Sequence, residues 1–163
     1  MVWATDTVTA IRSCPKESCG TPSELTRFGP PPASIVGGLA GDDGFVYVPV
    51  HLADANGRRG GRLVKIDPAG GPVLDLIACL DESPVDVKVD GTTAFFLTNA
   101  GTASDDPDVH TEGGSVYLVP LDGSTPRRVA TNQEYPAHVA FTASTFFWMN
   151  EYEREGQLQS LPR

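Results

Sequence analysis

The feature that most constrains this chain is an internal repeat of about fifty residues. Four short segments resemble one another: Val2-Trp3-Ala4-Thr5-Asp6, Val46-Tyr47-Val48-Pro49-Val50, Phe95-Phe96-Leu97-Thr98-Asn99 and Phe146-Phe147-Trp148-Met149-Asn150. They begin 44, 49 and 51 residues apart. Each is β-branched or aromatic, the chemistry of a buried strand. A second set follows each of these and contains Val8 and Ile11, Leu63 and Ile66, Val116 and Val119, Leu158 and Leu161. Gly61, Gly114 and Gly156 open three of its members, and Asp67-Pro68-Ala69-Gly70 and Pro120-Leu121-Asp122-Gly123 close two of them with turn signals. A third set starts at a proline: Pro32 to Val36, Pro84 to Lys88 and Pro136 to Ala140, spaced by 52 residues each time. Strict alternation puts Ala33, Ile35, Val85, Val87, Ala137 and Val139 on one face. A fourth, more variable set is Glu24-Leu25-Thr26, Val73 to Ile77 and Arg127 to Ala130.

Each unit therefore holds four short strands separated by turns. No stretch of ten residues has good helical periodicity; Asn150 to Gln157 is the only polar stretch with helical potential. A four-stranded unit that cannot close its own core, repeated at this spacing, marks a β-propeller blade. With the proline-led strand as A, the aromatic strand as B, the glycine-led strand as C and the variable one as D, the chain reads B-C-D, A-B-C-D, A-B-C-D, A-B-C. The expectation is one all-β domain over 1–163, a partial propeller of about three to four antiparallel blades. Its units are 1–30 (partial), 31–82, 83–134 and 135–163 (partial). The two ends both carry B and C and do not complement each other, which reads as a fragment of a larger propeller or an open array. Such an array exposes strand edges through which copies self-associate.

The run from Pro84 through Phe95-Phe96-Leu97-Thr98-Asn99 to Gly114 and Val116-Tyr117-Leu118-Val119-Pro120-Leu121-Asp122-Gly123 resembles the YWTD and NHL-like propeller repeats. It is most like those of secreted and lipoprotein-type myxobacterial propellers. The resemblance covers nearly the whole chain, and Pro49 departs from it where Thr is usual. It implies an exported, non-enzymatic module that binds a protein or glycan through the face carrying the B–C loops. The alternative it leaves open is a metal-assisted propeller enzyme of the lactonase or lyase class. Cys14 and Cys19 resemble a two-cysteine variant of the repeat. The expectation is a Cys14–Cys19 disulfide across the C–D turn, contributing about 1–3 kcal/mol at most. Cys79 stands alone in an apolar run. One local pair points to an extracellular, periplasmic or cell-surface location. Met1 to Asp6 has neither the basic region nor the apolar run of a signal peptide, so any export signal is expected to have been removed or to lie upstream.

Charge excludes some partners. The net charge is −9, and Arg58-Arg59 and Arg127-Arg128 are isolated pairs. Nucleic acid is gripped through clustered cations, so it is excluded as a partner. No stretch approaches the roughly 20 apolar residues of a spanning helix.

The B–C loops carry the candidate binding residues: His51, Asp54 and Asn56 in one, and Asp105, Asp106, Asp108, His110 and Glu112 in another. Asp108, His110 and Glu112 partly imitate a calcium loop, with oxygen donors at alternate positions and Gly113 after them. The match fails at His110 and at Val119, where the closing Glu belongs, so calcium competes with a plain solvated acidic loop. No other cofactor is expected. Cys14 and Cys19 lack the second ligand pair of a zinc site. Ser34, Asp86 and His138 occupy one position in successive A strands, where Asp86 and His138 are the candidates for acid–base chemistry or are ordinary polar residues between blades. Gluconolactonase-type propellers set a Glu, an Asn and an Asp around a metal, and no matching set is present. Neither a serine-nucleophile motif nor a phosphate-cradling glycine loop occurs.

Overall fold

A computed structural model describes residues 1–4, 10–17, 19–28, 34–35, 38–42, 44–53, 59–100, 113–152 and 155–163. Within these the chain is all-β and forms four antiparallel sheets in chain order. The first joins β1 (Val2–Ala4), β2 (Ala10–Ser13) and β3 (Ser23–Arg27). The second orders β4 (Ser34–Ile35), β6 (Val46–Ala53), β7 (Arg59–Ile66) and β8 (Leu74–Leu80), with β5 (Ala40–Gly41) also on β6. The third orders β9 (Glu82–Asp90), β10 (Thr93–Ala100), β11 (Gly114–Pro120) and β12 (Arg127–Gln133). The fourth orders β13 (Pro136–Phe141), β14 (Thr145–Tyr152) and β15 (Glu155–Pro162). Each sheet is thus a meander of consecutive strands. No helix long and apolar enough to cross a membrane is present among the described residues.

The sheets pack face to face in sequence order, and each gap is an apolar core. Ile11 and Phe28 meet Val46, Val48, Val50, Val64 and Ile66 between the first and second sheets. Tyr47 and Leu63 meet Val87, Ala94, Phe96, Tyr117 and Val119 between the second and third. Phe95, Leu97 and Val116 meet Val139, Phe146 and Trp148 between the third and fourth. Alternation explains the division. Val46, Val48 and Val50 face back to the preceding sheet while Tyr47 faces forward; Ala94 and Phe96 face back while Phe95 and Leu97 face forward. Strands β6 and β10 are buried on both sides, which is why they read as unbroken apolar runs. Phe95 stacks on Phe146 with ring centroids 4.5 Å apart.

One contact recurs at the joints. A Cβ on Gly61 would collide with the ring of Pro84 and lie 2.8 Å from the Val50 carbonyl oxygen. A Cβ on Gly114 would lie 2.6 Å from the Thr98 carbonyl oxygen and 2.8 Å from Pro136 Cδ. The glycine that opens the third strand of a sheet is therefore the seat for the proline that leads the next sheet. Asp86 adds a polar tie, since its Oδ2 accepts the Val139 N–H of β13 at 3.2 Å.

Register shows where local pattern misled. Thr93 and Thr145 lie opposite Pro120 and Pro162, so Phe147 of β14 corresponds to Phe95, one residue later than the sequence alignment places it. Ser34 lies opposite His51, at the level of Gly61, whereas Asp86 lies opposite Leu97 and His138 opposite Met149. Ser34 is therefore not at the position of Asp86 and His138. The proline-led strand of the second sheet is broken in two, and Gly38, between β4 and β5, approaches Asp86 instead: a Cβ there would lie 2.9 Å from its Oδ1. The described residues of Asn150 to Gln157 are strand and not helix; Glu151 pairs with Gly156 and Tyr152 with Glu155, so the hairpin ladder takes their backbone groups. Cys14 and Cys19 are joined by a disulfide in the β2–β3 connection, and Cys14 exchanges hydrogen bonds of 2.9 and 2.8 Å with Met1.

Replacing Gly114 by Ala should cost about 1–3 kcal/mol through overpacking against Pro136. Gly20→Ala, with nothing within 4 Å of the new carbon, should be near neutral. Urea unfolding of both variants checks this, and equal midpoints would contradict it.

Candidate functional site

In each of the last three sheets, the B–C connection leaves at the end where the first strand starts. Ala53 opposes Arg59, Ala100 opposes Glu82, and Glu151 opposes Gly156. The links Leu80 to Glu82 and Gln133 to Pro136 are short, so this end is shared by consecutive sheets. The connections it carries are 54–58, 101–112 and 153–154. Asp54, Asn56, Asp105, Asp106, Asp108, His110 and Glu112 lie outside the described residues. His51 does not begin a loop, because β6 continues through it to Ala53.

A belt of polar side chains underlies this end. Glu82 is its centre. Its carboxylate accepts hydrogen bonds from Thr98 Oγ1, from Ser115 Oγ at 2.9 Å and from the Tyr117 hydroxyl at 3.3 Å. Arg128 lies 3.7 Å from the same carboxylate and donates from Nε to the Tyr117 oxygen at 2.8 Å. Thr98 and Ser115 are fully buried, so their hydroxyls require such a partner. Burial, and then the charge of Glu82, hold the Tyr117 phenol above its ordinary pKa.

A second polar cluster joins the third and fourth sheets. Gln133 Oε1 accepts the Trp148 indole N–H at 2.8 Å and the Asn150 amide at 3.1 Å. Between the second and third sheets, His51 Nδ1 and Ser83 Oγ are 2.7 Å apart. Asn99 Oδ1 and Asn150 Oδ1 are buried without a hydrogen-bond partner among the described residues.

Asp86 and His138 do not form an acid–base pair. Asp86 is buried, and its Oδ1 accepts from Val87 N–H at 2.9 Å and from Lys88 Nζ at 3.4 Å, while Oδ2 is taken by Val139. His138 is exposed over 73% of its side chain and lies 3.6 Å from Glu151. Alternation sends Val139 back into the core and His138 to the opposite face. Among the described residues no three His, Cys, Asp or Glu side chains are grouped to hold a metal.

Glu82, Ser115, Tyr117 and Arg128 escape the sequence reading because they come from three strands, β9, β11 and β12, far apart in sequence. The signals available were Thr98 closing an apolar run and Glu82 just ahead of Pro84. At the opposite end of the second sheet, the buried Tyr47 donates to Asp42 Oδ2 at 2.6 Å. Desolvation, then the Asp42 hydrogen bond and charge, raise the Tyr47 pKa far above its ordinary value.

No protein-family model and no curated protein matches this sequence.

Both phenols are held neutral by the fold. Their contribution to stability is complete below about pH 10 and is lost as the pH rises through the raised folded values. In an alkaline absorbance titration, Tyr47 and Tyr117 should ionise later than a free tyrosine. Asp42→Asn should bring Tyr47 down, and Glu82→Gln should bring Tyr117 down. Unchanged titrations in both variants would contradict these assignments.

Proposed function

We propose that the chain is a run of YWTD/NHL-like β-propeller blades that acts outside the cytosol and binds a protein or glycan without catalysing a reaction. The binding face is the end that carries connections 54–58, 101–112 and 153–154. The observation that carries this reading is that the strand ends flanking these connections lie at one end of sheets joined by buried cores. Loops on a rigid base are where recognition concentrates. Their residues supply both hydrogen-bonding and acidic groups: Asp54, Asn56, Asp105, Asp106, Asp108, His110 and Glu112. The Cys14–Cys19 disulfide supports an oxidising compartment. The lactonase or lyase alternative gains no support, because Asp86 is engaged by backbone donors and His138 points to the opposite face.

The purified chain should be screened on glycan arrays and against displayed peptide libraries, and assayed on lactones and related esters. The expected result is saturable binding that falls at least about tenfold, or 1.4 kcal/mol, when Asp105, Asp106 and Asp108 become Asn and Glu112 becomes Gln. Turnover of an ester without any binding, or binding indifferent to these changes, would overturn the proposal.

A further inference from the structure

The disulfide of the first sheet is open to solvent on one side only. Cys14 is buried, 6% exposed, whereas Cys19 is exposed. Pro15, Lys16 and Glu17 between them are exposed as well. An incoming thiolate therefore meets Cys19 Sγ and not Cys14 Sγ. The strand that this link holds is thinly packed. No residue of β3 is buried: Ser23, Glu24 and Arg27 are exposed, Leu25 and Thr26 half-buried. Leu25 is its one apolar side chain, at the margin of the first core. Among the described residues β3 is an edge strand that pairs only with β2. Arg12 of β2 lies 4.0 Å from Glu24, but both side chains are too solvated for this ion pair to hold a strand. Phe28, buried just after β3, anchors its end in the core. The disulfide anchors its beginning.

We infer that Cys14–Cys19 is a thiol-operated catch on β3, entered at Cys19. A dithiol reductant supplies the chemistry. Its first thiolate attacks Cys19 Sγ, the S–S bond breaks, and Cys14 leaves as a thiolate that takes up a proton. Its second thiolate attacks the mixed disulfide and releases Cys19 as a thiol. The reductant ends as a disulfide, and two electrons and two protons have passed to the protein. With the link open, ordering residues 14–19 regains its full chain-entropy cost. The beginning of β3 then peels from β2. Arg12 and Ser13, which pair with Glu24 and Ser23, are left with an open strand edge, a template for another extended segment. The catch rests on the first sheet alone and not on the loop-end reading.

Hydrogen exchange of the 163-residue protein with and without dithiothreitol tests the catch. The β3 amides bonded to β2 should exchange about tenfold faster or more in reductant, the scale of a short loop-closure term. Strands β9 to β12 should keep their rates. Joint Cys14→Ser and Cys19→Ser changes should reproduce the faster exchange without reductant. Unchanged β3 exchange in dithiothreitol would overturn the inference. So would acceleration spread equally over β9 to β12, because the link then guards the whole fold. Entry at Cys19 is tested by a brief pulse of glutathione, acid quench and alkylation. Trypsin cleaves after Lys16 and parts the two cysteines. Glutathione should sit on the Cys19 peptide, and glutathione on the Cys14 peptide would overturn that assignment.

Discussion

Everything in this structure depends on how one sheet is laid on the next. A three- or four-stranded meander has two faces, and a sheet with aromatic and aliphatic side chains on both faces must be covered twice. The chain meets this need in series. The second and third sheets each bury their backward face against the sheet before and their forward face against the sheet after. The glycine seat sets how closely the sheets approach. Without a side chain at Gly61 and Gly114, the rings of Pro84 and Pro136 settle against bare backbone. Proline suits that place because β9 and β13 are edge strands of their sheets.

Close apolar packing leaves polar groups with a problem, and the two ends of the sheets solve it. Tyr47 reaches from a buried strand to Asp42, and Tyr117 reaches to Glu82 and Arg128. Both aromatic bodies fill the core between the second and third sheets while their hydroxyls find partners at its rim. Asp86 and Val139, His51 and Ser83, and Lys65 with the Leu121 carbonyl all tie one sheet to its neighbour. Polar ties of this kind contribute little attraction net of desolvation but penalise a shifted register, because a slip leaves buried groups unpaired. The strand ends that carry the loops therefore rest on a fixed floor.

The strand pattern was legible because burial on both faces writes long apolar runs, and turns write Asp, Gly and Pro. Among the described residues, members of all four strand sets fall on antiparallel strands that pair in the expected order within each sheet. What failed was fine register. A run such as Phe146-Phe147-Trp148 contains no internal mark that says which aromatic faces forward, and only pairing of Thr145 with Pro162 decides it. The displacement of Ser34 has a similar cause, since Gly38 and Leu39 lie outside any strand, between β4 and β5. Of the site, the loop carboxylates were visible as local composition. The Glu82 belt was not, because four strands separated by up to 46 residues contribute to it.

The most direct test of the stacking is a set of side-chain nuclear Overhauser contacts in solution. The account places the Phe95 ring against Phe146 and Trp148, at centroid distances of 4.5 and 6.2 Å, and places Phe96 on the other side of the same strand with Tyr117. Strong Phe95 contacts to Phe146 and Trp148, with none from Phe95 to Ile11, Val48 or Val64 in the first core, are the predicted result. Contacts from Phe95 to those residues would contradict the front-to-back order on which the rest of the account stands.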